Sequence, residues 1–404
     1  MRWPVLVAGG LLLAGCGGAP STSGGSSPTP LATATPSALA SVTPSAAPSS
    51  SPSPGASPSA SPPAIGGVQA RCLTPIPSDR PLALVTLGSA SSPILADVSD
   101  PAHPSTVCSI TGQVFNPRLV SATEIAYVAQ TASGSSLATL ELATNSGGTV
   151  AGWTGQGFGS GMYAIAGNGV EIAYLNSTAS GVEWHLVANE NDRTVATLPP
   201  VPGRGASPDD DSVMLGFSSD GGYAALVQTF TGTGAGSTAD GRFQVRRADG
   251  TLVESAGAGR TMAAWAGRGS TLYFRDAAGV ERWSGPSHVT LVLPNVAWIR
   301  PSASSDGRWM AYTARDASGL PHAYLLDLVH GGAPRLIADG ASAPVFLTPS
   351  VVWYQEERLC QASDACGMGG PSIPTGAAFL YDTVTGHAAA SSISAVLGSV
   401  APAR

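Results

Sequence analysis

From Val68 onward, apolar residues come in runs of four to seven, rich in Val, Leu, Ile, Tyr and Trp, and broken by Gly, Pro, Asp and Asn. Runs of that length and composition, bounded by turn formers, predict β-strands and few helices. The runs also recur. Residues 165–175 (IAGNGVEIAYL), 217–227 (FSSDGGYAALV), 265–275 (WAGRGSTLYFR) and 301–313 (PSASSDGRWMAYT) share one design, a Gly-centred turn followed by a strand with an aromatic near its end. Residues 120–128 and 344–355 are looser copies.

Each copy is followed by a second strand, a tight turn and a third strand. Residues 322–338 are the clearest case, and 184–198, 242–256 and 279–293 repeat the form. Asn191-Asp192, Asp249-Gly250 and Gly331-Gly332 are the expected turn residues, because positive φ lets hairpin twist match strand twist. A first unit over 82–110 brings the count to about seven. Tyr127 to Tyr174 is 47 residues, Tyr273 to Tyr312 is 39, and Tyr312 to Trp353 is 41. A period of 40–50 residues with several short strands per unit predicts a β-propeller. The fold class is therefore all-β, a single propeller over 66–404, with seven blades and six as the nearest alternative count. A two-sheet sandwich leaves the repeat unexplained. Ring closure is expected from residues 68–74 pairing with the last unit (344–390).

Ser218-Ser219-Asp220-Gly221 and Ser304-Ser305-Asp306-Gly307-Arg308, each ahead of a strand, resemble the Ser-Pro-Asp-Gly repeats of TolB-like propellers. Leu326-Asp327-Leu328 with Gly331-Gly332 resembles the second strand and hairpin of the same family. Val98-Ser99-Asp100-Pro101 is similar to another bacterial surface-propeller repeat. In these repeats the Asp caps a turn and the Gly accepts positive φ. The resemblance implies a fold and no chemistry.

The N-terminal region reads differently. Arg2 precedes an apolar run, Val5 to Leu13, which is too short to span a bilayer but suits a secretory signal over 1–15. Leu13-Ala14-Gly15-Cys16 resembles the lipobox of bacterial lipoproteins, which implies lipidation of Cys16 and attachment to the cell membrane on its extracytoplasmic side. Residues 17–64 are almost wholly Ser, Pro, Ala, Thr and Gly, with no charged residue between Trp3 and Ala70. That composition predicts a disordered linker over 16–65, with a reach of up to ~150 Å when extended.

Every basic residue is Arg, which removes Schiff-base chemistry and a P-loop lysine. A formal net charge of −7 argues against nucleic-acid binding. Cys72, Cys108, Cys360 and Cys366 form an even set, read as two disulfides with three connectivities open. Cys360–Cys366 with Cys72–Cys108 is the favoured pairing. A zinc site is the competing reading, but the intervals of 36, 252 and 6 fit no ribbon or finger. No metal or cofactor is expected.

Catalytic motifs are scarce. There is no G-x-S-x-G elbow, and the six histidines sit in different units without metal-ligand spacing. Asp209-Asp210-Asp211 reads as a solvated loop, and the tryptophans read as packing between blades. The leading expectation is a monomeric, membrane-tethered binding or scaffolding propeller without enzymatic activity, whose ligand is a protein, peptide or cell-wall glycan. The alternative is a propeller enzyme acting on carbohydrate with acids from separate blades, Glu124, Glu171, Glu281 and Asp276 being the contributors available. The connection in the last unit, 359–376, is long for a turn. It is therefore expected to edge the binding surface through Gln361, Ser363, Asp364 and Met368.

Overall fold

The computed structural model describes residues 67–400, apart from 132–133, 154–161, 168, 170, 179–180, 189–190, 199–211, 231–239, 258, 363 and 365–370. Its strands form seven antiparallel sheets, the blades of one propeller. Blade 2 shows the plan: an inner strand Phe115–Leu119, then Glu124–Thr131, Gly134–Glu141 and an outer strand Ser146–Trp153. The inner strands of successive blades lie beside one another around the channel. Because each blade is an up-and-down meander, its first and third turns share one end of the ring, here termed the lower mouth. The second turn and the link to the next blade share the upper mouth.

The expected closure differs from what is seen. Residues Gln69–Cys72 pair with Ser105–Thr111 of their own blade, as its fifth and outermost strand. Closure falls to the other end of the chain. Ile393–Val400 pairs with Leu82–Leu87 and supplies the inner strand of blade 1. The first unit had only three strands of its own, so the vacant inner edge needed a partner, and an apolar strand after the last blade was in position to fill it. The Asn145 carboxamide stabilises the outer strand by donating to the Ala70 carbonyl at 2.8 Å and accepting from its N–H at 2.5 Å.

Strand alternation explains the core. Ala224 and Leu226 point toward blade 3, while Ala225 and Val227 point toward blade 5. One apolar cluster fills each of the seven clefts between blades, from Leu84 with Tyr127 to Leu380 with Ile393. Trp184, Trp283 and Trp298 are fully buried, so these indoles pack blades rather than stack on a ligand.

The inner strands carry a feature absent from the sequence pattern. Asn116, Met262, Arg300 and Ala343 all have positive φ, between 47° and 51°, and each lies at a register shift of its inner strand. These are β-bulges, which add twist and redirect side chains at a rim. Met, Arg and Ala have no local preference for that conformation, so neighbouring blades must hold it. Tyr163 donates its hydroxyl to the Asn116 carbonyl at 2.6 Å, and Thr313 accepts the Ala343 N–H at 3.1 Å.

Two hairpin details also depart from expectation. The third strand of blade 3 ends at Ala188 and the outer one starts at Asn191, so Asn191 and Asp192 are strand residues rather than turn residues. In blade 7 the strands continue past the expected excursion: Leu359 pairs with Ser372 and Glu357 with Pro374, leaving a connection over 360–371. Among the described residues no helix is long and apolar enough to cross a membrane.

Candidate functional site at the lower mouth

The Asp-Gly turns build the lower mouth. In blade 6 the Ser304 hydroxyl donates to Asp306 Oδ1 at 2.5 Å and accepts the Trp309 N–H at 2.9 Å, while Arg308 N–H donates to Asp306 at 3.1 Å. Ser218, Asp220 and Tyr223 repeat this in blade 4. Gly221 and Gly307 take the positive φ that closes the turn. Successive turns then pack on each other: a methyl on Gly267 would run into the Ser304 carbonyl oxygen, and one on Gly307 would come within 2.9 Å of Arg268 Cβ. Ser219 donates its hydroxyl to the Gly269 carbonyl at 3.2 Å. The repeat therefore also tiles the rim.

Where blades 6, 7 and 1 meet, the tiling leaves a depression of about 180 Å³. Phe346, Leu347, Thr348 and Pro349 of blade 7, Ala303 and Ser305 of blade 6, and Pro81 and Ser399 beside blade 1 line it. No lining side chain is titratable. The volume is below that of small-molecule pockets, roughly 300–1,000 Å³, and fits a single docking side chain. Nothing in the sequence pattern marked it, because its residues come from three blades at opposite ends of the chain.

The residues singled out from the sequence lie elsewhere. Cys16 and Asp209 to Asp211 are outside the described residues. Cys72 and Cys108 form a disulfide joining the outer strand of blade 1 to its neighbour. Cys360 is also disulfide-bonded; its expected partner, Cys366, is outside the described residues, as are Ser363 and Met368. Gln361 is exposed at the upper mouth. Asp364 is held by Arg358 in a two-point ion pair at 2.6 and 2.9 Å and accepts the Gln361 N–H at 2.7 Å. The Arg358 hydrogen bond draws its carboxyl down to about 2. That carboxylate is engaged within its own loop.

The four candidate acids do not converge. Glu124 and Glu171 open the second strands of blades 2 and 3 at the lower end. Asp276 caps the upper turn of blade 5, accepting from Ala278 N–H at 2.7 Å and Gly279 N–H at 3.2 Å. Glu281 is its neighbour; burial, then the Asp276 charge, holds it above the usual carboxylate range against the pull of Arg260. Among the described residues no group of three His, Cys, Asp or Glu side chains could hold a metal ion.

The remaining histidines show how polar groups are absorbed. His185 lies between Asp192 at 3.0 Å and Glu183 at 3.4 Å, stacked on Tyr174, whose hydroxyl donates to Asp192 at 2.5 Å. In blade 6, His322 sits between Asp339 at 2.8 Å and Asp316 at 3.3 Å. Both imidazoles are internal braces.

No family model matches the chain, and no curated protein matches it. Solved structures resemble it in fold. TolB from Acinetobacter baumannii is 15% identical over 78% of this chain, with a TM-score of 0.43, and the chain spans 64% of TolB. The β-propeller domain of the Trilobed protease from Pyrococcus furiosus is 12% identical, covering 69% of this chain and 82% of that one, with a TM-score of 0.46. Oligogalacturonate lyase from Vibrio parahaemolyticus is 11% identical, covering 78% and 86%, with a TM-score of 0.48. What the chain shares with them is the propeller.

Proposed function

We propose that this chain is a membrane-tethered, extracytoplasmic binding propeller that performs no chemistry and engages a protein, peptide or cell-wall glycan. The observation that carries the reading is the depression at the lower mouth, which mixes hydroxyl and apolar side chains and holds no acid, base or nucleophile paired for catalysis. The engagement of Asp306, Asp316, Asp364 and Asp276 by backbone and neighbouring groups points the same way. The Cys72–Cys108 disulfide fits an oxidising compartment, and the lipobox-like Cys16 supplies the tether.

Melting-temperature measurements on the full chain against muropeptides, cell-wall glycans, peptides and divalent cations test this. A ligand at about 100 times its Kd adds about 2.7 kcal/mol. A stabilising ligand that is recovered unchanged is the expected result, and turnover of a glycan would overturn it. The raised Glu281 beside Asp276 is the observation that favours the carbohydrate-enzyme alternative. On that reading Glu281→Gln abolishes the turnover.

A further inference from the structure

Beyond the depression, the lower face of blades 5, 6, 7 and 1 has a distinct charge arrangement. Arg308 lies on the Trp309 ring at 4.6 Å; Arg335 lies 5.9 Å from the same ring and 5.4 Å from that of Tyr381. Arg268 abuts the Gly307 turn beside them. All three guanidinium-bearing residues are exposed.

Most acids of the same turns are tied into them: Asp327 also lies 3.7 Å from the Arg308 guanidinium and 2.9 Å from His330, while Asp100 is exposed beside His103 at 3.1 Å. Asp306 accepts the Arg308 N–H, Asp327 accepts from Val329 N–H and His330 N–H, both at 2.9 Å, and Asp382 accepts from Val384 N–H at 2.7 Å. Four of the six histidines, His103, His288, His330 and His387, are exposed in the third turns of these four consecutive blades. Arg268 and Arg335 carry no ion pair among the described residues, so this face holds exposed guanidiniums on a chain of net charge −7. Val329 and Val384 are 66% and 80% exposed on that surface.

We infer that this face docks an extended acidic segment of a partner protein, its carboxylates on Arg268, Arg308 and Arg335 and one apolar side chain in the depression beside Ser305. The inference rests on the binding reading and names its partner class. Three features select an acidic peptide. Guanidiniums braced on aromatic rings are preorganised for two-point carboxylate contacts. Arginine with aromatic groups is the composition of a protein-binding hot spot. A polyanion alone would leave the depression and the two exposed valines without a use.

The test is to pan a random library of roughly 12-residue peptides on the immobilised full chain, then measure the enriched peptides by fluorescence anisotropy. Expected are peptides with Asp or Glu flanking one aliphatic or aromatic residue. Their affinity should fall about tenfold or more in the Arg308→Ala/Arg335→Ala double variant, and again as salt rises from ~50 to ~300 mM. Thr348→Trp, which fills the depression without touching a guanidinium, should also weaken binding. Arg300→Ala, exposed at the upper end of blade 6, should leave it unchanged. Circular dichroism and melting establish that each variant is folded.

Enriched peptides lacking acids, or acidic ones that bind the double variant equally well, overturn this site and leave the binding reading standing. Binding of inorganic polyphosphate without binding of any acidic peptide overturns it in favour of a phosphate polymer. No enrichment, together with no glycan or cation that raises the melting temperature, overturns both.

Discussion

Trp298 donates its indole N–H to the carbonyl of Met262 at 2.9 Å, from the entry to blade 6 onto the bulge of blade 5. Trp298 is wholly buried, and Met262 holds a φ of 48°. A residue in an unfavourable backbone conformation is thus fixed by a hydrogen bond from the next blade. Tyr163 does the same for Asn116 three blades earlier in the ring.

Trp298→Phe keeps most of the volume and removes the donor. It should cost about 1–3 kcal/mol, since the Met262 carbonyl is left without its partner. Met262→Gly relieves the left-handed strain and should be neutral or stabilising by up to about 1 kcal/mol. Urea denaturation reads both, and equal destabilisation by the two variants would contradict this account.

The turns of the lower rim predict a contrast between adjacent glycines. At Gly267 the obstacle is the Ser304 carbonyl, so Gly267→Ala must move one turn off another and should cost about 2 kcal/mol or more. At Gly269 the space is open and only the φ of +71° resists, so Gly269→Ala should cost about 1 kcal/mol. Melting curves that ranked them the other way would show that the turns do not pack as described.

Acid should act through the turn carboxylates. Hydrogen bonding from the Ser318 hydroxyl, then His322, holds Asp316 at about 2; Arg358 and then the Gln361 N–H do so for Asp364. Both folded values lie below the unfolded value of about 3.9, so their contribution is complete above that pH and is lost as pH falls toward 2. Stability should be level from pH 7 to about 5 and decline between about 4 and 2. Asp316→Asn should lose stability at pH 7 and flatten the decline.

The outer strand of blade 1 rests on its disulfide. Cys72→Ser/Cys108→Ser opens a 36-residue separation and should cost about 3–4 kcal/mol on a chain-entropy estimate. Hydrogen exchange should then quicken first in Gln69–Cys72. Unchanged protection there would assign the strand's stability to the Asn145 carboxamide and the apolar contacts.

Cys16→Ser should release the protein from membranes while leaving the propeller folded, because the buried core of the described residues begins at Val68. Fractionation with circular dichroism decides it. A variant that still pellets with membranes after a high-salt wash would remove the lipid tether from the proposal.

The blades were legible in the sequence because each hairpin signals itself locally. Asp249-Gly250 and Gly331-Gly332 mark third turns, and the Ser-Ser-Asp-Gly segments mark first turns, as found. Closure was not legible in the same way. Gln69–Cys72 and Ile393–Val400 are both short strands without a distinctive pattern, and only the vacant edge of Leu82–Leu87 decides between them. The bulges at Met262 and Ala343 had no local signal, since their conformation is imposed by Trp298 and Thr313. The lower mouth was hidden for a further reason: Pro81, Ser305, Phe346 and Ser399 become neighbours only once the ring is shut.

The pairing of Leu82 with Val400 has a consequence in time. Contacts between the two ends of a chain form late, after the largest loop in the molecule has closed, and slow the last step of folding. A polypeptide threaded through an export channel with its N-terminus leading would emerge with blade 1 missing its inner strand until the final residues arrived. An unfinished ring of this kind would stay pliable, and a product cut short before Ile393 would leave an open sheet edge that a protease can recognise.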